Sequence, residues 1–209
     1  MNTPRFLPAV LLSGLLLITT GQLRAQSVTY NFTQFGGGGQ TTPLLNVAPD
    51  VGSPSFRANF TSAPNSAAFT VANFQPNSLF SGNSLIEPGG IVGNVLTVTL
   101  NTAVNLVSLV FATNGPGALT FASSSGGVTV ASTAQGGGFP GGSLTFSSAT
   151  PFTSFTLTDG AGPEFAIDNL TMRVAAPTGV PDSGTTVLLL GMSVAVLLAG
   201  ASRARAKLA

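Results

Sequence analysis

The sequence predicts an all-β domain, an antiparallel β-sandwich of jelly-roll-like form, with a closed barrel as the second architecture. Three observations predict it. Short runs rich in Val, Thr, Phe and Leu recur at a spacing of about 10 residues, the rhythm of strands separated by tight turns. Between them stand 26 glycines and 14 prolines in 209 residues, enough to punctuate strands but below the roughly 25–30% of low-complexity chains. No amphipathic helical period appears outside the two ends.

Nine strands follow in order, at 28–33, 67–72, 94–100, 104–113, 118–122, 128–132, 143–147, 152–158 and 165–174. Alternation supports them. Leu96, Val98 and Leu100 fall on one face of their run and Thr97 and Thr99 on the other, while Phe155 and Leu157 oppose Ser154, Thr156 and Thr158. Turns are written as Asn114-Gly115-Pro116-Gly117, Ser125-Gly126-Gly127 and Asp159-Gly160, where glycine admits positive φ. Gly36–Gly39 and the stretch Gly136–Gly142 read as loops. Pro43, Pro49, Pro54 and Pro64 argue against long ladders between 36 and 66. Gly117-Ala-Leu-Thr-Phe121 is echoed by Gly142-Ser-Leu-Thr-Phe146, which suggests two similar hairpins.

The ends are addresses. Arg5 followed by the apolar stretch 7–18 and the small residue Ala25 reads as a secretory signal peptide over 1–25. Residues 185–201 carry no charge; as a helix they would extend about 25 Å at ~1.5 Å per residue, close to a hydrocarbon core of roughly 30 Å. Arg203, Arg205 and Lys207 follow, and such a cluster stays on the cytoplasmic side and holds the preceding domain outside. The expected organisation is therefore a signal peptide (1–25), an exported domain (26–178) and a C-terminal segment (179–209) with a membrane helix at 185–201 and a basic tail at 202–209.

Composition narrows the chemistry of the exported part. It holds Asp50, Glu87, Asp159, Glu164 and Asp168 against Arg57 and Arg173, a net charge of −3, which disfavours nucleic-acid binding. The chain has no Cys and no His, and its only lysine is Lys207. Disulfides, thiolate and histidine-based catalysis, lysine Schiff bases and histidine-ligated zinc are thereby excluded there. Carboxylate chemistry remains. Asp159, Glu164 and Asp168 lie within ten positions around a Gly-rich turn, a pattern that could supply oxygen ligands to a structural calcium, or alternatively a turn-forming Asp, a solvated Glu and a capping Asp. A glycosidase pair needs two such acids at the substrate, but the absence of Trp and the single Tyr leave few aromatic sugar platforms. The three Asn-x-Thr triplets, at Asn31, Asn59 and Asn169, are expected by chance in so Asn- and Thr-rich a chain.

Val180-Pro181-Asp182-Ser183-Gly184, followed by the apolar run and Arg203, Arg205 and Lys207, resembles the PEP-CTERM sorting signal of Gram-negative bacteria in its variant beginning Val-Pro-Asp-Ser-Gly. The resemblance implies that Val180–Gly184 are recognised by an exosortase, a membrane-embedded cysteine protease. It implies export through the secretion machinery, an inner-membrane-anchored intermediate, and delivery to the cell surface or extracellular matrix, where exopolysaccharide is a frequent neighbour. The run Glu164-Phe-Ala-Ile-Asp-Asn-Leu-Thr171 is similar to the last strand of jelly-roll domains related to carbohydrate-binding modules, whose Ile-Asp-Asn carboxylate often lies near a structural ion. No regular Thr-x-Thr ladder runs through the sequence, so nothing supports ice binding. The expectation is an exported, non-enzymatic protein with a structural or adhesive role; a carbohydrate-binding module is the alternative, and a carboxylate-dependent glycan hydrolase follows.

Overall fold

The computed structural model of the protein describes residues 25–175 except 37, 64–67, 88, 90–92, 136–137 and 160–163. The expected signal peptide apart from Ala25, the sorting pentapeptide, the expected membrane helix at 185–201 and the basic tail lie outside these residues. Among the described residues no helix is long and apolar enough to cross a membrane.

Eleven antiparallel strands form: β1 (Ser27–Tyr30), β2 (Gly38–Thr41), β3 (Leu44–Val47), β4 (Ala58–Ala63), β5 (Thr70–Asn73), β6 (Asn83–Ile86), β7 (Val95–Thr113), β8 (Ala118–Ser123), β9 (Gly126–Ala131), β10 (Gly141–Thr158) and β11 (Phe165–Val174). A single 3₁₀ turn at Thr33–Phe35 follows β1. Among the described residues the strand path is open, running from β2 to β9, and closes no barrel.

Two long strands make the two layers. The first half of β7 pairs with β4 on one side and with the second half of β10 on the other, extending to β8, β9 and β3. Its second half pairs with β11 and with the first half of β10, extending to β1, β6, β5 and β2. Both strands change layer where their register slips, between Ser147 and Ser154 of β10; Pro151, which cannot donate to a ladder, sits inside that slip.

This explains the strand count. The predicted runs 94–100 and 104–113 are one strand, as are 143–147 and 152–158. Their inward residues lose period-2 phase at the bend, from Leu100 to Val104 to Val107, so alternation splits what the backbone joins. The short strands β2, β3, β4 and β6 fall where Gly or Pro hid the pattern. Gly38 and Gly39 belong to β2, and Gly141 opens β10 as a buried residue; neither glycine run is wholly a loop. Of the two echoed segments only the first is a hairpin strand, because the second pairs with β7, yet Phe121 and Phe146 stack with centroids 4.7 Å apart.

One apolar core lies between the layers. Leu96, Val98 and Leu100 from one layer meet Val107, Leu109 and Phe111 from the other. Tyr30 packs edge-on against Phe60 at 5.5 Å and donates its hydroxyl to the Val47 carbonyl at 3.1 Å. Each buried Phe contributes roughly 1.5–3 kcal/mol, which a domain without disulfides needs.

The outer faces differ. Residues 74–82 pack across the first layer, where Phe80 joins Ala112 and Ala166 in a second small core flanked by Phe74, Leu79 and Ile86. The outer face of the second layer is open. Strand register lines up Thr61, Thr97, Thr156 and Ala122 in one rank, Asn59, Thr99 and Ser154 in the next, and Val95, Thr158, Thr120 and Thr129 in a third. These residues are half-buried or exposed, and none is charged. The ladder absent from the linear sequence is assembled across strands, at spacings of about 4.8 Å between strands and roughly 6.7 Å between ranks.

Candidate functional site

Four chain segments meet at one end of the sandwich. Glu87 follows β6, Asn94 precedes β7, Asp159 follows β10 and Glu164 precedes β11. The registers Val95 to Thr158 and Ile86 to Ala166 bring these ends together. Glu87 is fixed by main-chain bonds: its amide donates to the Phe165 carbonyl at 2.9 Å, and its Oε2 accepts from the Phe165 amide at 3.2 Å. Asn94 adds a side-chain bond to Glu87. Glu164 adopts a left-handed backbone, φ 62°, held by the Asn114 amide donating to its carbonyl at 3.1 Å.

The electrostatics are unusual for so charge-poor a domain. Glu87 and Asp159 are each only 1% exposed. Burial, aided by the Asp159 charge, raises the Glu87 pKa to about 7, and the bonds from Phe165 and Asn94 offset only part of this. Burial also raises the Asp159 pKa, and the backbone amides of Asp159 and Glu164 oppose the rise. Among the described residues, Glu87 Oε1 and both Asp159 carboxylate oxygens have no donor in hydrogen-bonding geometry.

Beside them lies a cleft of about 60 Å³, lined by Phe74, Ile86, Asn114, Phe139 and Glu164 among others. The Phe74 and Phe139 rings are 6.0 Å apart, and Phe139 is 38% exposed. Glu164 reaches this cleft. Glu87 and Asp159 do not line it.

The expected acidic trio is therefore divided. Asp159 and Glu164 stay together and are joined by Glu87, whereas Asp168 belongs to another site. Asp168 faces outward from β11 and is sealed under the 74–82 segment, 0% exposed. Its Oδ2 accepts from the Ser81 amide at 3.1 Å and its Oδ1 from the Asn169 amide at 2.6 Å. Burial raises its pKa and these two amides oppose the rise, with Asp50 as the nearby charge. Asp50 itself accepts from the Asn31 amide at 2.8 Å, the Gln34 amide at 3.2 Å and the Thr33 hydroxyl. Among the described residues no three His, Cys, Asp or Glu side chains converge to hold a metal ion. Sequence reading missed Glu87, Asn94 and the Phe74–Phe139 pair; Glu87 is 78 residues from its partner Phe165, and no local pattern announces such a contact.

Comparison with solved structures finds low likenesses. The catalytic unit of a thermostable GH87 alpha-1,3-glucanase from Streptomyces thermodiastaticus is 14% identical over 59% of this chain and 28% of that one, with a TM-score of 0.33. The CBM22-1-GH10 modules of Clostridium thermocellum endo-1,4-beta-D-xylanase 10B are 10% identical over 75% and 30%, with a TM-score of 0.41. The enzymatically active domain of Bacteriophage CBA120 tailspike protein 4 is 16% identical over 56% and 19%, with a TM-score of 0.35. The chain spans less than a third of each of these. Comparison with curated proteins gives no match. The sorting residues are a different matter: residues 179–203 match the family described as VPDSG-CTERM motif. The chain thus carries a variant of the PEP-CTERM-like sorting signal, with Val180–Gly184 as its defining pentapeptide.

Proposed function

We propose that the protein is exported, processed by an exosortase-type protease at its C-terminal signal, and delivered to the cell surface or extracellular matrix, where its sandwich serves a structural or adhesive role without catalysis. The observation that carries this reading is the VPDSG-CTERM motif at 179–203. The acid distribution supports the non-enzymatic part: among the described residues Glu164 is the one carboxylate lining the cleft, while Glu87, Asp159 and Asp168 are at most 1% exposed. A hydrolase would need a second carboxylate at the substrate. Replacing Val180–Gly184 by alanines tests the reading. Retention of the uncut variant in the membrane supports it, and unchanged delivery of the variant contradicts it.

A second reading, binding of a neutral polysaccharide, draws on the uncharged hydroxyl ranks of the second layer and the Phe74–Phe139 cleft. Sugars stack on aromatic faces and exchange hydrogen bonds with hydroxyls. Equilibrium binding to a polysaccharide panel tests it. Saturable binding weakened by Phe139→Ala locates the ligand in the cleft, binding weakened by Thr97→Val with Thr156→Val locates it on the ranks, and flat isotherms remove the reading.

A further inference from the structure

The Glu87–Asp159 pair poses a chemical problem that the rest of the domain does not solve. Among the described residues three carboxylate oxygens, Glu87 Oε1 and both of Asp159, are buried without a donor in hydrogen-bonding geometry, and an ionised carboxylate so placed is costly unless a proton, a donor or a cation satisfies it. The two arginines among the described residues are engaged elsewhere. Arg57 is bonded to the Pro54 and Phe56 carbonyls and Arg173 to Asn105, and residues 26–178 contain no Lys or His. Glu164, the remaining acid at this end, adds a third negative charge.

We propose that Glu87 and Asp159 form a calcium site, with Asn94 orienting Glu87 and Glu164 deepening the negative field. Two carboxylates match a divalent charge. The donor set is oxygen alone, which suits a hard cation and gives zinc none of its preferred nitrogen or sulfur ligands. Since no three acidic side chains converge, backbone carbonyls and water complete the 6–8 oxygens that calcium takes, and the affinity falls in the roughly 10⁻⁴–10⁻³ M class of extracellular modules. The site is separate from Asp168, whose oxygens are already bonded to amides, and it stands independently of the sorting reading.

The test is calcium binding by the full chain in detergent, followed by titration calorimetry and by thermal unfolding in calcium or in a chelator. One calcium per chain is expected, and calcium at about 100 times its dissociation constant shifts the folding equilibrium about 100-fold toward the folded state. The double variant Glu87→Gln, Asp159→Asn loses both effects, Asp168→Asn keeps them, and magnesium is the weaker ligand. If the double variant does not fold, Asp159→Asn alone is read by its calcium affinity, which drops at least tenfold. No binding by the wild-type chain overturns the site. So does wild-type affinity in the Glu87 and Asp159 variants, loss of binding in Asp168→Asn, or an equal response to magnesium.

Discussion

Asp168 and the Glu87–Asp159 pair are all carboxylates sealed from solvent, but the fold treats them in opposite ways. Asp168 receives two backbone amides, one from the covering segment and one from its own strand. It ties the 74–82 segment to β11 and is part of how the first layer's outer face is closed. The pair at the sandwich end leaves three oxygens without a donor in hydrogen-bonding geometry among the described residues. A satisfied buried carboxylate is a structural tie; an unsatisfied one is where the proposed calcium would sit.

The largest expected effect comes from cutting the tie. Asp168→Ala removes the acceptor of the part-buried Ser81 and Asn169 amides and unties the covering segment, and a loss of about 2 kcal/mol is expected in chemical denaturation. A loss below about 1 kcal/mol, within the range of an ordinary surface change, breaks the contrast. At the other site the sign reverses. In chelator at pH 8, Glu87→Gln removes a buried charge that the Asp159 charge disfavours, so stability rises by about 1–2 kcal/mol.

The pH dependence sharpens the same point. Glu87 titrates near 4.5 when ordinary and at about 7 in the folded chain, so between these values the folded protein holds a proton that the unfolded chain has lost. In chelator its contribution is therefore most favourable below pH 4.5 and declines as pH rises through about 7, with a slope of about 1.4 kcal/mol per pH unit for one proton. Unfolding measured from pH 4 to 8 flattens over this window in Glu87→Gln. An identical slope in the variant assigns the proton elsewhere. The smallest effect is at Asp50, which is half-buried and accepts from Asn31, Thr33 and Gln34. Asp50→Ala costs about 1 kcal/mol, as for loss of a local cap.

What the sequence made legible was what is local. Alternation at Leu96–Leu100 and Phe155–Leu157 located inward faces correctly, because one side of each strand is core and the other is solvent. The Ser125-Gly126-Gly127 turn was readable because Gly126 takes φ 119°, which other residues resist. The layer change of β7 and β10 was not, since phase loss at a bend resembles a strand end. The acidic trio was misgrouped for a related reason. Asp159, Glu164 and Asp168 are close in sequence, but Asp168 points outward from β11 while the neighbours of Asp159 include Glu87, just after β6, and only the sheet order brings β6 beside β11. The Thr ranks were hidden likewise, because their repeat runs across strands.

The claim of surface delivery is tested most directly by intact mass on fractionated cells expressing the natural chain. The account predicts a species that starts near Gln26, lacks the segment that follows the 180–184 motif, and is recovered from the surface or the medium. A full-length chain of 209 residues recovered as a soluble cytosolic protein would contradict it.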